Sequence, residues 1–417
     1  MKVCVVGSGG REHALAHVLA RTAEVVVAPG NSGIPFSTPQ PLKEIEADLF
    51  VIGPEQPLVD GLADELRKQG KLVFGPNADG AKLEGSKSWM KEILVEAGVP
   101  TAKYAVFTEK EPAFDFLQNL SDLYVIKTDG LAAGKGVLVT SDLIEAKQAV
   151  TEYLSGKAFG TAGQRIVIEE GLTGPEISLL AVCDGQIAVP LAPAQDFKRL
   201  RDQDEGPNTG GMGAYSPVPF LEVNLVERIM DIAVTPTLET LKRRGIDYRG
   251  VLYCGLMITP DGPKVLEYNV RFGDPETQVV LPRLKTDLVE LLVGAASGSI
   301  NSNPIFSNEA AVAVVCASES YPENPRTGDF INGLPQVQKM EGIDVFFSGV
   351  RSTNGGLVTD GGRVLTITGM GATLEKARNL TYEAVSQISW PGMQKRQDIA
   401  TNFDLYKDKK IDEGKEQ

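Results

Sequence analysis

Over its first hundred residues the chain alternates short β runs with helical patterns, and that order leaves few folds open to it. Strands are expected at 2–7, 24–28, 48–53 and 71–75, with helices at 12–20, 58–69 and 86–97. Strands separated by helices build an open parallel sheet. Pro100 then breaks the pattern. A second unit follows, with strands at 123–127, 137–140, 165–169 and 177–182 and a helix at 142–154. A long polar loop at 195–217 and a helix at 223–244 come next. A helix at 284–296 ends at Ser297-Gly298, and Asn301 to Pro304 reads as a linker. The last unit begins near Ala310, with strands at 311–316, 345–349 and 363–368 and a helix at 374–388. The Lys-, Asp- and Glu-rich tail after Tyr406 is expected to be disordered.

Composition excludes several classes. At 417 residues, 42% of them hydrophobic, the chain is long enough for two to four domains with real cores. No apolar run is long enough to span a membrane. The N-terminal MKVCVVGSGGREHALA reads as strand, turn and helix rather than an export signal. A balance of 41 basic against 55 acidic residues, net −14, opposes non-specific nucleic-acid binding. Cys4, Cys183, Cys254 and Cys316 are far apart in apolar β-like runs, which points to buried thiols in a reducing cytosol.

The densest chemistry lies in KVLEYNVRFGDPETQ, Lys264 to Gln278. Val265, Leu266 and Tyr268 favour a strand, so Glu267 and Asn269 point the same way and Arg271 follows them. A carboxylate and an amide oxygen on one face suit a hard cation such as Mg²⁺. An arginine beside them suits a phosphate or carboxylate. Gly273, Asp274, Pro275 and Glu276 then turn the chain and bring two more acids.

Three further motifs accompany it. Gly7-Ser8-Gly9-Gly10-Arg11-Glu12 joins a strand to a helix, where backbone N–H groups meet a phosphate. The spacing is not G-x-G-x-x-G, and the second strand ends without a ribose-binding acid, so a monophosphate fits better than a dinucleotide. The Gly53-Pro54-Glu55 turn faces the same crevice. His13 and His17 share a helix face without a third metal ligand, so His13 reads as an anion contact or a packing residue. Lys127 to Val137, KTDGLAAGKGV, resembles a P-loop but has the wrong spacing and runs into a strand. It reads as a glycine-rich hairpin over a triphosphate, with Lys127 and Lys135 supplying charge. Within the long loop, Asp196-Phe197-Lys198-Arg199 and Gly206 to Tyr215 combine clustered glycines with positive charge, the composition of a binding loop.

Arg271-Phe272-Gly273-Asp274-Pro275-Glu276-Thr277-Gln278 resembles the signature of the glycinamide ribonucleotide synthetases, ATP-grasp enzymes of purine biosynthesis, and the resemblance extends over nearly the whole chain. It implies an α/β and α+β multidomain protein of ATP-grasp architecture, with an N-terminal Rossmann-like sheet at 1–100. It also implies a central ATP-grasp domain at 101–121 and 190–309, a lid at 122–189 and a small C-terminal α/β domain at 310–417. The implied activity is an ATP-dependent ligation of glycine to 5-phosphoribosylamine through a glycyl phosphate. ATP is then a co-substrate and Mg²⁺ or Mn²⁺ the metal, in a cytoplasmic monomer without nucleic-acid or membrane partners. Carried over residue by residue, ATP would meet Lys87, Lys127, Lys135, Glu169, Glu170, Leu172 and Glu176. The other substrates would meet Gly9, Gly10, Arg11, Glu12, Asp196, Asn208, Thr209, Gly210, Arg271 and Asp274. Glu267 and Asn269 would hold the metal, while Arg271 and Lys135 would serve the transfer itself. Ser8 and Thr128 stand where the family usually has asparagine and alanine. The strand Val251 to Met257 lacks the acid that many ATP-grasp enzymes carry there. Another ATP-grasp ligase or carboxylase, or a non-catalytic nucleotide sensor, is the alternative.

Overall fold

The computed structural model describes residues 1–132, 136–156, 163–221 and 223–401. Lys135 and the tail after Tyr406 lie outside the described residues.

The first sheet is parallel and four-stranded, in the order Glu24–Pro29, Lys2–Gly7, Leu49–Ile52, Leu72–Phe74. Val3, Cys4 and Val5 are fully buried, as a parallel sheet covered on both faces requires. Helix Gly10–Leu19 follows the first strand directly. The helix expected at 58–69 divides into Glu55–Val59 and Leu62–Lys68, because Asp60 and Gly61 close a turn on the Gln56 and Leu58 carbonyls.

A second sheet, antiparallel, runs Tyr104–Phe107, Ile166–Glu170, Tyr124–Thr128, Val137–Thr140. Helices Lys110–Gln118 and Leu143–Leu154 give it a small core of its own, including Leu117, Ile126, Val150 and Ile168. The Asp142 side chain caps the second helix by accepting from the Ile144 N–H at 2.7 Å. The third sheet runs Ala188–Pro190, Glu176–Asp184, Arg249–Thr259, Gly262–Asn269. The fourth joins Gln195–Asp196 and Gly213–Ser216 to the C-terminal strands Ala310–Ala317, Arg363–Gly371 and Ile343–Phe347, with helix Leu374–Gln387 packed on it.

This pairing redraws the expected lid unit. Glu176–Asp184 pairs with Arg249–Thr259, so it belongs to the central sheet and not to a unit spanning 122–189. Tyr104–Phe107, expected outside that unit, pairs with Ile166–Glu170 inside it. Both pairings join segments more than fifty residues apart, which local pattern does not reveal. The loop at 195–217 also differs. It carries the hairpin Arg199–Arg201 with Glu205–Asn208 and two strands of the fourth sheet, in polar residues whose composition hides the pairing. The helix expected at 223–244 contains a π-helical turn, Met230–Val234, before Thr235–Arg243. That turn absorbs Pro236, which has no N–H to give an α-helix.

Candidate active site

Strand Gly262–Asn269 sets Asn269 opposite Tyr253 and Glu267 opposite Gly255. Glu267 and Asn269 share a face, and both line a cavity of about 630 Å³. The Tyr268 hydroxyl between them turns into the protein, donating to the Ala233 carbonyl at 2.9 Å. Arg271 lies just beyond the strand. Its Nη2 donates to Glu84 Oε1 at 2.8 Å and to Asn269 Oδ1 at 3.1 Å, and its Nε is 3.4 Å from Glu55 Oε2. Burial works against the charged form, but Glu84 and Glu55 outweigh it, and the guanidinium is held more basic than usual. The following turn is fastened by two acids. Asp274 Oδ1 accepts from Gln278 at 2.7 Å and Oδ2 is 3.3 Å from Arg363. Glu276 Oε1 accepts from the Tyr253 hydroxyl at 2.8 Å and from Ser178 at 3.2 Å.

Charge is concentrated on the same wall. Lys198 Nζ pairs with Glu176 and lies 3.6 Å from Glu267 Oε1. Burial pushes the Glu267 carboxyl up, but Lys198, then Lys127, Lys87 and Arg271, pull it down to about 2. Asp196 moves the other way: burial, with Glu276, Glu176 and Glu267 nearby, raises its carboxyl well above the usual range. One of its oxygens, Oδ1, is buried without a hydrogen-bond partner. Lys87 Nζ donates to the Gly130 carbonyl at 3.0 Å, beside the glycine-rich hairpin. The hairpin reading holds, since Tyr124–Thr128 and Val137–Thr140 are antiparallel. Opposite Glu267 stands Gly255, where a side chain would meet Glu267 Cγ at 3.1 Å, and no acid is present on that strand. The neighbouring carboxylates come instead from Glu176, Asp196 and Glu276.

The N-terminal turn is divided in its roles. Arg11 lines the cavity and donates to the Phe272 carbonyl at 3.2 Å. The Glu12 carboxylate is spent inside the protein, accepting from the Gly9 N–H and from Arg11 Nε, each at 2.6 Å. Gly10 is packed: a Cβ there would lie 2.7 Å from Ser348 Oγ and 2.8 Å from Gln278 Nε2. Of the two readings of His13, packing is the one realised. Its Nδ1 accepts from the Phe347 N–H at 2.9 Å and its ring stacks on Phe347. Among the described residues no group of three or more His, Cys, Asp or Glu side chains is placed to hold a metal ion.

The acidic strand end is likewise internal. Glu169 is 2% exposed and its two oxygens meet Lys127 at 2.7 Å and Lys91 at 2.9 Å. Glu170 Oε1 accepts from the Lys103 N–H at 3.0 Å. Leu172 is half-buried beyond the strand. The cavity therefore gathers Arg11, Lys87, Asp196, Asn208, Thr209, Gly210, Glu267, Asn269, Arg271 and Asp274. Gly9, Gly10, Glu12, Lys127, Glu169, Glu170, Leu172 and Glu176 stand around it without lining it.

Sequence reasoning passed over several contributors. Tyr321 and Arg363, from the C-terminal unit, form one wall. Arg363 Nη1 donates to the carbonyls of Gly210 at 2.7 Å and Asp274 at 2.6 Å, and the Tyr321 hydroxyl accepts from the Gly210 N–H at 2.9 Å. No local motif marks them. Glu84 and Tyr253 were equally silent, since only the tertiary fold brings them to Arg271 and Glu276.

Two antiparallel sheets closing on one charged cavity, beside a parallel N-terminal sheet, define an ATP-grasp protein. Phosphoribosylglycinamide synthetase models match the chain in three consecutive stretches: the N domain over residues 1–84, the ATP-grasp (A) domain over 85–277 and the C domain over 311–402. The chain belongs to the phosphoribosylglycinamide synthetase family. A phosphoribosylamine–glycine ligase of Streptomyces coelicolor is 46% identical over 422 residues, which cover 96% of this chain and 99% of that one. The crystal structure of phosphoribosylamine–glycine ligase from Thermotoga maritima superposes with a TM-score of 0.84 at 36% identity, covering 96% of this chain and 100% of that chain. The biotin carboxylase domain of Hydrogenobacter thermophilus 2-oxoglutarate carboxylase, at 16% identity and TM-score 0.71, shares the fold alone.

Proposed function

We propose that this chain ligates glycine to 5-phosphoribosylamine, splitting ATP to ADP and phosphate and yielding glycinamide ribonucleotide, the second step of purine synthesis. The observation that carries the reading is the Glu267, Asn269, Arg271 face opening on one cavity with Lys87 and Lys198, in a chain that aligns end to end with such ligases. A carboxylate oxygen is a poor leaving group, so the glycine carboxylate must be activated before an amine attacks it. ATP phosphorylates that carboxylate, and the amine of phosphoribosylamine then displaces phosphate. In-line phosphoryl transfer asks for positioning and charge neutralisation rather than a protein nucleophile. The four cysteines fit that expectation, since all are buried and free.

In this reading Lys87, Lys127 and Lys135 hold the ATP phosphates, and Arg271 steadies the transferring group or the glycine carboxylate. Its tether to Glu84 and Glu55 fixes the guanidinium at the cavity edge before substrate arrives. Adenine sits near 169–172, held by backbone groups, because the Glu169 and Glu170 side chains are engaged elsewhere. Glu176 is the group for the ribose hydroxyls, and Lys198 is the cation it must then exchange or share. Arg11 and the loop of Asn208, Thr209 and Gly210 face the phosphoribosyl end, with Gly9, Gly10 and Glu12 shaping the turn beneath and Asp196 and Asp274 flanking it. Glu267 and Asn269 fit Mg²⁺ or Mn²⁺: two oxygen donors on one face, one of them ionised down to about 2. When bound, the metal would neutralise phosphate charge. The protein acts in the cytoplasm as a monomer, and no helix among the described residues is long and apolar enough to cross a membrane.

Phosphate release, measured with ATP, glycine and freshly made phosphoribosylamine and omitting each in turn, tests the reading. Release should need all three. Release that needs bicarbonate instead would make the chain a carboxylase, and binding of ATP without turnover would make it a sensor.

A further inference from the structure

Helix Lys87–Glu96 sends two lysines one turn apart in the same direction. Lys87 reaches the cavity, whereas Lys91 turns inward and is fully buried. Its Nζ donates to Thr101 Oγ1 at 2.7 Å and to Glu169 Oε2 at 2.9 Å, and lies 5.3 Å from the Tyr104 ring centre. The other oxygen of Glu169 is 2.7 Å from Lys127 Nζ. Two ammonium groups thus share one buried carboxylate. A buried ion pair would need a single lysine, and surplus charge away from water is costly unless something answers it. The network also reaches the metal strand: Thr101 Oγ1 donates to the Val265 carbonyl at 2.7 Å and Lys127 Nζ to the Leu266 carbonyl at 3.2 Å. These carbonyls belong to the two residues before Glu267.

We propose that Lys91 is a positioning residue for the nucleotide: by holding one oxygen of Glu169 it leaves Lys127 only half-neutralised, so that the charge of Lys127 remains available to the ATP phosphates. This rests on the reading that Lys127 faces those phosphates. Without Lys91, Glu169 belongs to Lys127 alone, and the group of three changes from one surplus positive charge to none. Removing the carboxylate as well restores the surplus. Affinity for a phosphate anion should therefore follow the charge of the group and not the number of side chains altered.

Isothermal titration of the full chain with ADP and Mg²⁺ reads this. Lys91→Met should raise the ADP Kd about tenfold, the effect of one partly screened charge, with the KM for glycine unmoved. Lys91→Met combined with Glu169→Gln should return the Kd to within about threefold of the parent. Lys91→Gln, which removes the charge but keeps a shorter polar N–H donor, is the second variant should the methionine protein fail to fold. A double variant weaker than the single one overturns the proposal, as does a folded single variant that binds ADP like the parent. A parent chain that binds no ADP, or a Lys127→Met protein that binds it normally, overturns the nucleotide reading beneath it.

Discussion

The Glu267 carboxylate is a side chain on which burial and neighbouring charge pull in opposite directions. Burial alone would make it a weaker acid, yet Lys198, Lys127, Lys87 and Arg271 leave it ionised to about 2. Glu267→Gln removes the charge and keeps the shape, so turnover should fall by about 100-fold or more while the melting temperature holds. Near-normal turnover at limiting Mg²⁺ would remove Glu267 from the metal role. Lys198→Met asks a different question of the same group. Lys198 is the largest of the four cations acting on Glu267, so without it the carboxyl should take up protons at higher pH. The acid limb of kcat/KM should then move up by about one pH unit, and an unmoved limb would mean that Glu267 does not govern it. Period-two alternation made Glu267 and Asn269 legible in the sequence. The Gly53-Pro54-Glu55 turn was legible too, but Glu84 and Arg363, which fix Arg271 and Asp274, were not, because they arrive from elements far away in sequence.

Among the elements, the segment 195–217 was read as a binding loop, and the structure gives it more order than a loop. Thr209 Oγ1 donates to the Lys198 carbonyl at 2.8 Å and accepts from the Gly211 N–H at 3.0 Å. Gly211 sits at φ +111°, and a Cβ there would lie 2.5 Å from Pro275 Cδ. Both facts demand glycine at the point where this segment meets the signature turn. Gly211→Ala should cost about 1–3 kcal/mol of stability. It should also raise the KM for glycine and phosphoribosylamine more than that for ATP, since the adenine site proposed at 169–172 belongs to the other sheet. Equal changes in all three KM values would show a global effect instead. Strands with strong apolar runs, such as Lys2–Gly7 and Ala310–Ala317, were legible because burial on both faces leaves a continuous hydrophobic signature. The hairpin Val350–Thr353 with Gly356–Thr359 was not, since its polar, half-exposed residues carry no such signature.

For the whole molecule, the decisive contact is between the two ends of the chain. Helix Gly10–Leu19 packs on strand Ile343–Phe347, and Asn31 Nδ2 donates to the carbonyls of Ser8 at 2.8 Å and Ser348 at 2.7 Å. This closure puts Arg11 on the same cavity as Tyr321 and Arg363. His13 lies in that seam, with Phe346 and Phe347 against its ring and Nδ1 accepting from the Phe347 backbone. Burial, with a smaller contribution from His17, lowers its pKa to about 3 from an ordinary 6.5. The unfolded chain therefore binds a proton at this histidine from pH 6.5 downward, while the folded chain does not until about 3. Stability from this group is complete above 6.5 and is lost on acidification, at up to about 1.4 kcal/mol per pH unit. His13→Gln keeps an acceptor for the Phe347 N–H and cannot take up the proton. The variant should lose less melting temperature than the parent between pH 7 and pH 5. Parallel losses would mean that His13 protonation does not set the acid sensitivity of this seam, which is also held by the Asn31 contacts, the aromatic packing and His17 Nε2 at 3.6 Å from Asp344.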